Sequence, residues 1–598
     1  MQKTYQQKAN EKKKTKAIRL IARRKNLPKL KVTDTLDKLS SKPMVKYGVY
    51  LTAVVVFFTL ILLPPILGII IKWNMMQEVL GQSELVARAL ASIENSFVVA
   101  LLVSALDLVT GTPMAWLIAR GKSKWLNVLD TLADIPFIVP TAVLGYSLLI
   151  FWSGNEGISS IFGETLISPG WLLVILLHFV FSYPVVVRVI VGALLDYKLE
   201  YEQASRTLGA PPLTAARTVT FAIIKPSLIA AFILAFARSI SETGATMMVA
   251  GVFYENGYSK AVFENGPVFI QNMKNDFKNG LIEPSVYEGS VVLASFILIA
   301  ISCLIFAVIR VLGPKLRLPI KRVWPSTERK LSYSKATLTR NSVTLLVFIV
   351  IVLIPSLFVA LPAVEALFTD NLSRALAGAS GISEVVNWGE YWQSLILSYS
   401  LGGTVTILNI VIGLPMAIIV ARKKFGILPS TILNVLVDIP IIVPSVALGV
   451  SLQFFWKEIF TFIPEMWLLI FAHLAITYPY FVRSVAAAIE RISLDLEEAS
   501  KTLGAKPLVV FRTIVLPLTK YSIFSGAIMI FTRSVSETGA TLAVTTALKT
   551  VPVVLVNWVK SPLPATSLEI GLGCGFLILF SFIILLVFRL VARGKGRY

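Results

Sequence analysis

The chain has 598 residues, of which 56% are hydrophobic and only 15% charged, with a mean hydropathy of +0.76. Soluble chains carry about 25% charged residues, so a soluble multidomain enzyme is excluded and an integral membrane protein is indicated. The remaining charge is lopsided, 56 Lys and Arg against 34 Asp and Glu for a formal +22. A nucleic-acid binder would cluster such residues with stacking aromatics on a folded domain; here they fall between apolar runs, as in polytopic membrane proteins.

Residues 1–47 form a basic tail with fifteen Lys or Arg and three acids. The apolar run after it, from Val49 to Ile71, is long enough to span and lacks a small-residue cleavage pattern, so it reads as a first membrane helix and not as a secretory signal. A span needs about 20 apolar residues. Such runs occur near 48–72, 95–119, 131–152, 171–192, 222–250 and 289–312, then near 341–368, 396–421, 431–456, 467–488, 520–547 and 568–592. The expected fold is therefore all-α with twelve transmembrane helices. Its divisions are a tail (1–47), a first half (48–312), a linker (313–340) and a second half (341–598).

Alternate loops are rich in basic residues: Arg120, Lys122 and Lys124, then nine from Arg310 to Arg340, then Arg422, Lys423 and Lys424. The positive-inside rule places these loops, and both termini, in the cytoplasm. The only cysteines, Cys303 and Cys574, sit apart in apolar runs and can form neither a disulfide framework nor a metal site.

The two halves repeat each other. Asp134-Ile-Pro-Phe-Ile-Val-Pro-Thr-Ala-Val-Leu-Gly145 recurs as Asp438-Ile-Pro-Ile-Ile-Val-Pro-Ser-Val-Ala-Leu-Gly449, and His178, Tyr183-Pro184 and Arg188 recur as His473, Tyr478-Pro479 and Arg483. With an even number of spans in each, the halves share one orientation and are expected to enclose a pathway about a pseudo-twofold along the membrane normal.

One inner loop of each half is polar and helix-forming but broken by glycine: Leu199-Glu-Tyr-Glu-Gln203-Ala204-Ser-Arg-Thr-Leu-Gly209 and Leu494-Asp-Leu-Glu-Glu498-Ala499-Ser-Lys-Thr-Leu-Gly504. Glycine suits the left-handed end of a helix, and Pro212 or Pro507 suits the start of the next. These loops resemble the signature of permease subunits of bacterial and archaeal ATP-binding-cassette importers: Glu-Ala-Ala, three residues, Gly, nine residues, Ile, one residue, Leu-Pro. The second copy matches at Glu498, Ala499, Gly504, Ile514, Leu516 and Pro517 and departs at Ser500. The first keeps Ala204 and Gly209 but has Gln203, Ser205, Val219, Phe221 and Ala222.

The resemblance implies a type I importer permease in which each loop is a coupling helix docked in a groove of a cytoplasmic ATPase. It further implies two such ATPases, which bind the ATP, and an extracytoplasmic solute-binding protein, with no cofactor or metal on this chain. The sequences Arg238-Ser-Ile-Ser-Glu242-Thr-Gly-Ala-Thr and Arg533-Ser-Val-Ser-Glu537-Thr-Gly-Ala-Thr resemble the branch handling sulfate, molybdate, tungstate, ferric iron, thiamine and polyamines. The motif wording is nearer the oxyanion permeases, whereas the fusion of two permeases is more like the ferric-iron and thiamine systems, which leaves the substrate open.

Arg238 with Glu242, and Arg533 with Glu537, are spaced to meet on one helix face. Because charge is costly in the bilayer core, these pairs are read as a pathway gate or as an internal ion pair. Asp134 and Asp438 precede prolines that would either bend a pore-lining helix or mark an irregular helix start. His178 and His473 have no second metal-ligating residue at suitable spacing and are read as packing or hydrogen-bonding residues. No catalytic constellation is present, and Gly121-Lys-Ser lacks the glycine five positions earlier that a phosphate-binding loop needs. The alternative function is an ion-gradient-driven carrier with parallel six-helix repeats.

Overall fold

The computed structural model describes residues 37–121, 125–133, 135–154, 157–163, 165–255, 258–312, 315, 325–561 and 563–592. Asp134, Lys122, Lys124, most of the tail and residues 313–314 and 316–324 of the linker lie outside the described residues.

Among the described residues, ten helices are long and apolar enough to cross a membrane. The first half supplies Pro43–Ile71, Ser83–Arg120, Trp171–Asp196, Pro212–Ser241 and Pro284–Ile309. The second supplies Ser334–Ala366, Trp388–Arg422, Glu465–Glu490, Pro507–Ser536 and Ser567–Phe588.

The count of twelve spans expected from hydropathy is not reached, because the third helix of each half is broken at the prolines that the sequence places there. In the second half Ile427–Ile442 and Ser445–Ile459 meet at an angle of 104°. Val443, which precedes Pro444, is extended at φ −72°, ψ 129°, as the proline ring requires of its predecessor. In the first half Thr141–Trp152 starts after Pro140; its 12 residues reach only about 18 Å at 1.5 Å each, short of the ~30 Å hydrocarbon core. The loop 251–288 also departs from an all-helical fold, since Val252–Glu255 and Tyr258–Ala261 pair as an antiparallel hairpin.

The halves are crossed. The first helix, Pro43–Ile71, packs on the third helix of the second half, and Ser334–Ala366 packs on Thr141–Trp152 of the first. Pro355 and its neighbours are accommodated by Ser147 of the opposite half, whose hydroxyl donates to Pro355 O (2.6 Å) and accepts from Val359 N (2.9 Å). The segments leading into the first helices cross in the same sense. Glu328 accepts from Thr214 (2.5 Å) and pairs with Arg217 (2.9 Å), while Asp37 lies 3.9 Å from Arg512. Each half therefore holds the base of the other's fifth helix.

Close approach of helix backbones in a membrane depends on small residues. A Cβ on Gly68 would lie 1.8 Å from Ser451 O of the other half, whereas one on Gly48, on the same helix, meets nothing within 4 Å. Gly68→Val is expected to destabilise the crossed assembly by about 1–3 kcal/mol and to lower its melting temperature in detergent, with Gly48→Val melting as wild type; equal melting of the two variants would contradict the crossed packing.

Candidate translocation gate and coupling loops

Each fifth helix ends in a break. Pro212–Ser241 stops where Glu242 turns to φ −79°, ψ 130°, and Pro507–Ser536 stops where Glu537 turns to φ −72°, ψ 126°. Short helices, Gly244–Val249 and Gly539–Val544, follow. Hydropathy reads 222–250 and 520–547 as single spans, so this break is a correction, and the two glutamates sit in extended backbone rather than on a helix face. Both are buried. Glu242 Oε1 accepts from Ala245 N (3.0 Å) and Glu537 Oε1 from Ala540 N (2.9 Å), so each carboxylate caps the helix beyond its own break.

The histidines bridge the breaks. His178 Nδ1 meets Ser239 Oγ at 2.8 Å and Nε2 meets Thr246 Oγ1 at 2.9 Å; His473 meets Ser534 Oγ and Thr541 Oγ1, each at 2.9 Å. One ring thus ties the helix before the break to the helix after it, the hydrogen-bonding role expected of these residues.

The two breaks face each other across the halves. Ser445 donates to Ser241 O (3.1 Å) and Thr141 to Ser536 O (3.2 Å). A Cβ on Gly244 would lie 2.5 Å from Thr538, and one on Gly539 would lie 2.7 Å from Thr243 Oγ1. The repeated motifs of the third and fifth helices thereby form one cross-half seal of backbone, hydroxyls and hydrogen-only side chains.

On the loop side of this seal lies a cavity of about 1100 Å³ between the halves, into which Arg188, Arg238, Asp438, Tyr480 and Arg483 project. Arg533 pairs with Glu537 at 2.5 Å. Arg238 donates from Nε to Phe181 O (3.1 Å), its guanidinium 3.8 Å from the Phe181 ring centre. Asp438 pairs with Arg483, which also donates to Asn434 Oδ1 (2.5 Å) and Asn434 O (2.7 Å). In the first half Arg188 makes the matching grip on Asp130, at 2.6 Å to Oδ1 and 2.5 Å to O. Arg188 and Arg483 were legible only as repeat markers. The signal for their role is Asp130 and Asn434 at equivalent positions of the repeat.

The two glycine-broken loops have the hairpin form read from their sequence. Helices Leu199–Thr207 and Leu494–Thr502 end at Gly209 (φ 89°) and Gly504 (φ 83°), left-handed values that a side chain resists, and Pro212 and Pro507 open the next helices. Within each motif adjacent residues have opposite tasks. Glu202 is buried and accepts from Thr220 (3.2 Å), and Glu497 is buried against Arg422 (2.7 Å). Gln203, Ala204, Glu498 and Ala499 face outward, beside Leu208 at 89% and Leu503 at 67% exposure. The buried anchors and the exposed leucines were not singled out from sequence. Pro517 lies on the exposed side just beyond a wide turn, Phe511–Val515; the first half has the same turn, Ala216–Thr220, with Ala222 in place of the proline. Proline does not create that turn.

Two repeated helical halves around one cavity, each carrying an anchored hairpin, fit a membrane transport permease. The chain belongs to the family described as binding-protein-dependent transport system inner membrane component, whose model matches residues 111–318 and again 413–594. It is a multi-pass inner-membrane protein of that family. Among its relatives, the sulfate transport system permease protein CysT of Salmonella typhimurium is 32% identical over 206 residues, covering 33% of this chain and 72% of the relative. The molybdenum transport system permease protein ModB of Escherichia coli K12 is 36% identical over 141 residues (23% and 61%). The molybdate/tungstate permease protein WtpB of Pyrococcus abyssi is 27% identical over 183 residues (30% and 72%).

Removing one partner of a buried ion pair strands the other charge, at a cost of about 3–5 kcal/mol. Glu537→Ala is accordingly expected to destabilise the second half by that order, measured by thermal unfolding in detergent. His473→Phe, which strands the hydroxyls of Ser534 and Thr541, is expected to cost about 1–3 kcal/mol and to abolish transport. A His473→Phe chain with wild-type stability would mean that the ring does not hold the break.

Proposed function

We propose that this chain supplies both membrane halves of an ATP-driven importer for small oxyanions of the sulfate and molybdate class. The observation that carries this reading is the pair of anchored hairpins at the open end of one cavity. Each presents a small outward patch, Gln203, Ala204 and Leu208 or Glu498, Ala499 and Leu503, held by a buried glutamate one residue away. Such a patch is the helix half of a helix-in-groove contact, and two of them suit two cytoplasmic ATPase subunits. Arg422 pairs with Glu497 of the hairpin, so the basic loops and the hairpins share an end, in keeping with a cytoplasmic location for both and for the two termini.

In the mechanism that follows, the pathway stands open toward the cytoplasm and sealed at Glu242–Gly244 and Glu537–Gly539. Closure of the ATPases on ATP moves the hairpins, and each fifth helix, which runs without interruption from hairpin to seal, carries the displacement to the gate. A solute-binding protein delivers the anion outside. Alternation between the two arrangements draws on the differential binding of nucleotide and loaded binding protein. The oxyanion class is favoured by the names of the relatives and by arginines from both halves lining the pathway, since guanidinium groups match the geometry of oxyanions. Substrate selection would then rest largely with the binding protein. A gradient-driven carrier gives no reason for the hairpins.

The reading is tested by isolating the tagged chain from its own membrane in mild detergent. Recovery of an ATPase and a binding protein that binds sulfate, molybdate or tungstate is the expected result; a chain purified alone after crosslinking would overturn it. Gly504→Val adds no clash, because no atom lies within 4 Å of its Cβ position, yet it forces a β-branched residue to φ 83° at a cost of about 1–3 kcal/mol. Uptake by this variant should fall by more than its expressed amount does, with thermal stability lowered by no more than that strain, and unchanged uptake would separate the hairpin from energy coupling.

A further inference from the structure

Beyond the seal, on the face away from the hairpins, a second cavity of about 280 Å³ lies between the halves. Its floor is the gate, with Met247 from one short gate helix and Thr541 from the other. Its walls are Gly266–Lys278 and Val551–Lys560, the helices that follow the two gate helices, each packed against the opposite half. The cavity therefore sits over the point where the pathway would open.

Three lysines line it from three separate segments: Lys278 from one wall, Lys560 from the other and Lys549 from the loop between. Lys549 is paired with Glu390 at 2.6 Å. Lys278 and Lys560 make no ion pair or hydrogen bond among the described residues. A fourth lysine, Lys274, is buried one turn before Lys278 and is fully engaged, donating to Leu542 O (2.5 Å), Ala543 O (2.7 Å) and Thr545 O (3.3 Å) at the end of the second gate helix. It fixes the wall to the gate. The acids nearby are committed: Glu390 to Lys549, and Glu465 to Thr546 Oγ1 (3.3 Å) and Ala547 N (3.2 Å). Positive charge concentrated in a concave, half-desolvated site repels itself and focuses the field on whatever enters.

We propose that this cavity is an anion site, in which Lys278, Lys549 and Lys560 hold a small, multiply charged oxyanion directly over the closed gate. The proposal rests on the permease reading above and deepens it by locating where a released anion waits. Convergence of amines from three segments, with the amides of Asn275 and Asn557 beside them, fits an ion with acceptors on all sides. Ammonium groups act on such ions as compact point charges, and each charge-assisted hydrogen bond contributes more than a neutral one. An acidic protein surface would be met by lysines spread over a flat face, not gathered in a pocket.

The test uses the full chain in nanodiscs without binding protein, with radiolabelled sulfate and molybdate as probes in equilibrium dialysis at fixed chloride. Wild-type chain is expected to bind, with Lys278→Ala and Lys560→Ala each weakening binding by about tenfold and Lys560→Arg retaining most of it. No binding to wild type, or equal binding by the alanine variants, overturns the site. So does a result in which the variants bind anion normally but lose the crosslink to the binding protein, which would make the lysines a protein-docking patch. Oxyanion uptake by cells carrying the wild-type transporter is measured alongside: uptake without lysine-dependent binding sinks the site and leaves the permease reading intact, whereas lysine-dependent binding without uptake keeps the site and overturns the substrate assignment.

Discussion

A helix broken inside hydrocarbon exposes backbone donors and acceptors that water cannot reach, and each one left unsatisfied costs several kcal/mol. At the breaks by Glu242 and Glu537, freed groups are given partners from both halves. The carboxylates cap the helices beyond the breaks, histidines clamp both sides, and Ser445 and Thr141 reach across from the opposite half to the freed carbonyls of Ser241 and Ser536. Since part of that satisfaction comes from the other half, neither break is stable alone. Separating the halves at this point would strand polar groups, so the contact constrains how the halves sit together.

The crossed first helices follow the same logic at larger scale. Each half contributes a helix to the flank of the other, and Glu328 and Asp37 pin the segments that precede those helices to the bases of the opposite fifth helices. In the proposed cycle the fifth helices act as levers. Pro212–Ser241 and Pro507–Ser536 have 30 residues each, about 45 Å at 1.5 Å per residue, and connect the hairpins to the breaks. Their wide turns, Ala216–Thr220 and Phe511–Val515, lie at the hairpin end, where local irregularity of this kind permits adjustment. In the proposed cycle, force applied at a hairpin meets the pinned base first and the seal last.

The duplication is not exact, and the differences concentrate where the two halves have separate tasks. The first hairpin is anchored by a hydroxyl on Glu202, the second by a guanidinium on Glu497, the stronger type of contact. On the far side, the first half inserts a β-hairpin where the second has only a short loop. The wall helices consequently present different residues, Gln271, Asn275 and Lys278 against Asn557 and Lys560. A single fused chain can carry such asymmetry at every copy, which two identical subunits cannot.

Hydropathy alone placed the chain in a membrane, because the cost of burying charge is set residue by residue and needs no tertiary context. The internal repeat was equally legible, as were the hairpins at Gly209 and Gly504, since a left-handed turn before a proline is a local demand of the backbone. Local signals also located the histidines and the charged residues of the fifth helices. What they could not reveal is that the apolar run 222–250 is broken, for its missing hydrogen bonds are supplied by residues some two hundred positions away. Nor could they tell that Glu497 faces inward while Glu498 faces out, or that each first helix belongs to the opposite half. Those outcomes depend on which surfaces meet between the two halves, and only the assembled packing decides which polar groups are satisfied there.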